Sequence, residues 1–155
     1  MNTLKVLESQ ITGELEKLKR LLNEAAEVGR KKSSNINIRA GASILHDFYT
    51  GVEDIFHAIA STIDEKVPSG VRWHIELLHQ MTLDIEGVRS HIISKETAKM
   101  LEEYLRFRHL FRKRYGFDLE WINIKHLLKR LPSIYSALGK DISKAFEDKR
   151  NESLQ

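Results

Sequence analysis

The chain contains no cysteine, which excludes a disulfide framework, a thiolate metal site and a cysteine nucleophile. Two prolines, eight glycines and no period-two alternation of valine and isoleucine leave little for a β-sheet. No stretch approaches the roughly 18 unbroken apolar residues of a membrane helix. The N-terminus has no apolar signal region, so a soluble cytoplasmic protein without a membrane partner is expected. A glycine-rich phosphate loop and a nucleophile elbow are also lacking, which removes support for nucleotide hydrolases and esterases. Nor is there a strong excess of one charge: 25 Lys+Arg against 22 Asp+Glu leave +3, so the placement of positive charge matters more than its sum.

Helical spacing runs through most of the chain, whose 155 residues suit one domain of roughly 100–200 residues. Leu4, Leu7, Ile11, Leu15, Leu18, Leu22 and Ala25 step by three and four, predicting a first helix that ends near Gly29. This stripe suits a bundle wall better than a coiled-coil seam. A polar connection over 30–37 precedes a second helix from about Ile38 to Ile63, which buries Ile44, Leu45, Phe48, Val52, Ile55, Phe56 and Ile59. Gly51 in its middle marks a close helix crossing. Pro68-Ser69-Gly70 signals a turn, Trp73, Leu77, Leu78 and Met81 a short helix, and 84–93 an irregular linker. Ser94 is the predicted cap of a helix reaching about Tyr115, stopped by Gly116. A last helix begins near Glu120, with Pro132 expected to kink or break it and the charged end from Lys144 expected to fray. The expectation is an all-α antiparallel four-helix bundle with an extra short helix, one domain over 1–150 and a frayed tail at 151–155.

The penultimate long helix breaks the binary pattern. With Leu101 at zero on a wheel of about 100° per residue, Tyr104, Leu105 and Phe111 form an apolar stripe, and Arg108 and Arg112 fall inside it. Left unpaired in a dry core, each arginine would cost several kcal/mol. Between Tyr104 and Tyr115 stand Arg106, Arg108, Arg112, Lys113 and Arg114 with no acid, interleaved with Tyr104, Phe107, Phe111 and Tyr115. Guanidinium forks suit phosphates, and rings offer stacking surfaces for unpaired bases. The alternative reading has the guanidinium groups snorkelling to solvent or pairing with carboxylates of another helix.

At these residues the sequence resembles the HEPN superfamily, specifically its HepT-like ribonuclease toxins. The run Arg108-His109-Leu110-Phe111-Arg112-Lys113-Arg114-Tyr115 is similar to the family motif of arginine, polar residue, three spacers, histidine, spacer and tyrosine. The segments Tyr49-Thr50-Gly51-Val52-Glu53-Asp54-Ile55-Phe56, Trp73-His74 with Leu77-Leu78, and Phe107-Arg108-His109 before Tyr115-Gly116-Phe117 extend the resemblance over roughly 40–135. It implies a HEPN-like bundle forming a homodimer with facing motifs. It further implies the toxin of a type VII-like HEPN/MNT toxin–antitoxin module that cleaves RNA, possibilities including tRNA and mRNA, through the substrate's own 2′-hydroxyl. No metal or other cofactor is called for.

By that resemblance Arg108 steadies the developing phosphorane charge. His109, at the polar position, is the substitute that positions or exchanges protons, and Arg112 and Lys113, with Arg106 and Arg114, are expected to hold neighbouring phosphates. Tyr115 matches the tyrosine to which a partner minimal nucleotidyltransferase attaches AMP; without the family it reads as an ordinary helix-end aromatic. The family histidine position holds Lys113. Lysine at an ordinary pKa near 10.4 is rarely deprotonated at pH 7, so as a base it needs a depression of roughly three units. As a general acid or electrostatic stabiliser it needs none. The runner-up function is therefore a catalytically inactive HEPN module binding RNA, nucleotide or a partner protein; a purely structural adaptor leaves the cations on the stripe unexplained. His46, Glu53 and His57 share a face but span about 16 Å, too far for one metal, and a Glu53–His57 pair reads as structural. His74 and His79, five apart, diverge, and Trp73 reads as a packing residue.

Overall fold

The computed structural model describes residues 2–113 and 119–154. Among these residues there are five α-helices and no strand: α1 Asn2–Gly29, α2 Asn35–Ile59, α3 Trp73–Gln80, α4 Lys95–Lys113 and α5 Trp121–Ser153. A π-helical turn, Ala60–Asp64, continues α2. The all-α expectation and the helix order agree with this architecture.

Helix α1 presents Leu7, Ile11, Leu18 and Ala25 to the core at the spacing read from sequence. Ser34 caps α2, its Oγ accepting from the Asn37 N–H at 3.1 Å. Ser94 caps α4 in the same way, accepting from the Thr97 N–H at 3.0 Å. Helix α1 packs on α2 and α5, α2 on α4 and α5, and α4 on α5; the short α3 lies against α2 and α4. The Tyr135 hydroxyl donates to the Leu15 carbonyl, Arg150 pairs with Glu8, Arg130 with Glu103, and Thr97 Oγ1 donates to Asp141. These ties hold the long last helix against α1 and α4, and their order makes both pairs antiparallel. Gly51 is indeed a close crossing: a methyl group there would stand 2.5 Å from Leu18 Cδ2.

Two features of α5 differ from the sequence reading. Of the kink or break expected at Pro132, the break does not occur: the helix is continuous from Trp121 to Ser153. Proline removes one backbone donor, but Leu128, Leu131, Ile134 and Leu138 around it are buried, so apolar packing keeps both sides of the interruption helical. The segment from Lys144, expected to fray, is helical through Ser153, because Ala145 and Phe146 are buried and Lys149 donates to the Val88 carbonyl.

The irregular linker is pinned, and this places α3. Asp64, at the end of the π-helical turn, accepts from Arg89 Nε at 2.6 Å and Nη2 at 2.7 Å. It also accepts from Gln80 Nε2 at 2.8 Å, at the end of α3. Arg89 is 4% exposed and gives its remaining donors to the carbonyls of Gln80, Leu83 and Ser90. A buried pair with every donor satisfied fixes geometry more than it adds stability. Here it fixes α3 over the C-terminal part of α2.

Candidate functional site

The site begins with a buried acid. Glu53 lies on the core face of α2 and is only 5% exposed, which is tolerable for a carboxylate only if cations meet it. Two groups do. His74, in the first turn of α3, places Nδ1 2.6 Å from Glu53 Oε2. Arg108 of α4 places Nη1 3.8 Å from Glu53 Oε1. A carboxylate only accepts, so His74 Nδ1 is the donor. The 3.5 Å approach of Arg108 Nη1 to that same nitrogen then brings two donors together and is no hydrogen bond.

Arg108 is thus the cation on the apolar stripe, its side chain 12% exposed. Its Nε is buried without a hydrogen-bond partner among the described residues, so the guanidinium has unspent donor capacity. Both readings of the anomaly meet in this residue: it pairs with a carboxylate of another helix and keeps donors to give. Arg112 departs from the wheel. It is exposed, because α4 leaves the core after Phe107 and its last turn is held by Phe111 against the His46 ring, centroids 5.3 Å apart.

His109 stands beside this cluster, its ring 5.3 Å from that of His74 and nearly perpendicular to it. Burial lowers its pKa below the ordinary histidine value; the charges of His74, Arg108 and Lys113 push the same way, and Glu53 opposes them. The two imidazoles line one open groove of about 340 Å³ with Arg72, Ile75, Leu105 and Arg106. Arg106 is exposed at its rim and pairs loosely with Glu102, 3.8 Å away. Trp73 stacks on His74 at 3.6 Å, half-buried, so the packing role read for it holds.

Of the predicted residues, Arg106 and His109 therefore line one groove, and Arg108 lies beneath it against Glu53. Arg112 and Lys113 are exposed in the last turn of α4, with Lys113 one turn beyond His109. Arg114 and Tyr115, with the Gly116 stop, lie outside the described residues. The residues missed as site members are Glu53 and His74. Glu53 pairs across helices with His74 rather than with His57, which is exposed. His79 points instead to Glu102, so the two histidines of α3 diverge as expected. The available signal was the presence of Glu53 and Trp73-His74 in the resembling blocks.

Comparison with curated proteins and with solved structures returns no match. A family model described as HepT-like protein matches residues 40–149, taking in α3 and α4, nearly all of α2 and α5, and every described residue of the site. That match extends over well over half of the chain and agrees with the helical bundle, and on that ground the protein belongs to the HepT-like family.

Proposed function

We propose that the protein is the toxin of an HEPN/MNT toxin–antitoxin pair, an endoribonuclease that works at a cleft between two copies of the chain. A nucleotidyltransferase partner would silence it at Tyr115. The observation that carries this reading is the largely buried Arg108, paired with Glu53, next to the groove that His74 and His109 line. A fixed guanidinium suits the charge that gathers on a phosphorane as the 2′-oxygen attacks. A histidine held neutral can accept the proton that the hydroxyl loses. Exposed Arg112 and Lys113 supply cations for flanking phosphates.

The test is incubation of purified protein with total tRNA and with a single-stranded RNA, with Arg108→Ala alongside. The expected outcome is products ending in cyclic phosphate, reduced at least about 100-fold in the variant, from a species that scatters light as twice the 18.0 kDa chain. Equal cleavage by the variant would remove Arg108 from the site, and an 18.0 kDa monomer would remove the shared cleft. A second reading, a HEPN module that binds RNA without cutting it, is favoured by Lys113 at the family histidine position. Binding without cleavage in the same experiment selects it.

A further inference from the structure

Building on the nuclease reading, we propose that His74, oriented by Glu53, is the second proton carrier of the reaction and takes the role left open by Lys113. In the step assigned to it, the 2′-oxygen attacks phosphorus while its proton passes to the His109 ring. The bond from phosphorus to the 5′-oxygen breaks, and that oxygen takes a proton from His74 Nε2. The products are a 2′,3′-cyclic phosphate and a free 5′-hydroxyl, with His109 left protonated and His74 neutral. Exchange with water resets both rings.

Geometry carries the assignment. Cleavage of this kind needs a base on the entering oxygen and an acid on the leaving one, and both must reach the same phosphodiester. Two rings with centroids 5.3 Å apart on one groove can each contact a different oxygen through hydrogen bonds of about 2.6–3.2 Å. They also differ in their surroundings. His109 has no carboxylate in direct contact among the described residues, whereas His74 is bound to one at 2.6 Å. A carboxylate on Nδ1 fixes the ring and balances an imidazolium charge, as the aspartate of a catalytic triad does. With Nδ1 committed to Glu53, Nε2 is the nitrogen left for substrate; it has no partner among the described residues and is not sealed from solvent. The other groups facing this ring are Trp73, stacked on it at 3.6 Å, and Arg108. The guanidinium stands on the Nδ1 side of the ring, next to Glu53.

A leaving-group substitution tests this directly. Single-turnover cleavage is measured for wild type, His74→Ala, His74→Gln and His109→Ala on ordinary RNA and on RNA carrying sulfur in place of the scissile 5′-oxygen. A thiolate leaves without needing a proton. The expected result is a loss of about 100-fold or more on ordinary RNA for both His74 variants, near-complete recovery on the sulfur substrate, and unchanged RNA binding. His109→Ala stays slow on both. Glu53 is a positioning residue, so Glu53→Gln should slow cleavage of ordinary RNA and recover on the sulfur substrate, as the His74 variants do. Wild-type rates for the His74 variants on ordinary RNA, or equal losses on the two substrates, overturn the proposal and leave the nuclease reading standing. Failure of wild type to cut either RNA overturns both.

Discussion

Glu53 shows how a core position comes to serve a site. Its carboxylate is almost wholly buried, yet it meets an imidazole and a guanidinium from two other helices, so each charge pays part of the others' desolvation cost. The same carboxylate, with burial as the larger cause, pushes the neighbouring Tyr49 hydroxyl far above its ordinary range, so that hydroxyl stays neutral. His109 feels the opposite surroundings, desolvation plus nearby positive charge, and its pKa falls. In the unfolded chain this ring gains its proton near pH 6.5; in the folded chain it does so only at lower pH. The folded state therefore binds fewer protons in that window. The stability tied to neutral His109 is complete above about pH 6.5 and is lost as pH falls through the lowered value. The margin by which the wild-type urea midpoint exceeds that of His109→Gln should shrink from about pH 7.5 to about pH 5. A constant margin would contradict the desolvated placement. Of this site, Arg108 was legible because a cation on an apolar stripe breaks a local pattern, and His109 because it holds the polar position of the family motif beside it. Glu53 and His74 were not, because 21 residues separate them and only the crossing of α3 over α2 brings them together.

At the scale of elements, apolar spacing marked the helices, and the failures came where tertiary packing overrides a local rule. Pro132 is one such place: its penalty of about 3 kcal/mol in a helix interior is local, while the burial that opposes it is spread over several turns. Two glycines of α2 show the same dependence on the neighbour. A methyl group at Gly41 would stand 2.5 Å from Ile124 Cγ2 and 3.1 Å from Leu128 Cδ1; at Gly51 it would meet Leu18 Cδ2 at 2.5 Å. The isoleucine atom is attached directly to a branched Cβ with one strongly preferred helical rotamer, so it can yield only if α5 moves. The leucine atom lies at the end of a side chain that can turn. Gly41→Ala should therefore destabilise by about 1–3 kcal/mol. Gly51→Ala should cost less, because the gain in helix propensity of up to ~1 kcal/mol offsets a milder clash. Urea unfolding of the two variants checks the order, and the reverse order would mean that α5 is looser against α2 than its packing implies.

For the whole molecule, a net charge of +3 says little, because cations are spread over the bundle, some of them beside acids, as Lys17 beside Glu14 and Arg150 beside Glu8 are. The end of α4 carries two cations one turn from the candidate site. Arg112 and Lys113 are exposed and form no ion pair with a described residue, whereas Arg106, one to two turns earlier, already faces Glu102. If RNA lies along this end of the helix, each of the two cations displaces counterions from the strand, and log affinity falls with log salt by about 0.7 per phosphate neutralised. Arg112→Ala and Lys113→Ala should each flatten that slope by about 0.7 and the double variant by about 1.4. Arg106→Ala should change it less, since Glu102 already offsets part of its charge, and Lys17→Ala on the far body should leave it unchanged. Anisotropy titrations of a labelled single-stranded RNA across a salt series read these slopes. A slope indifferent to Arg112 and Lys113 would place the strand elsewhere on the molecule, and the groove of His74 and His109 would then lack the flanking contacts that a nuclease needs to hold its substrate.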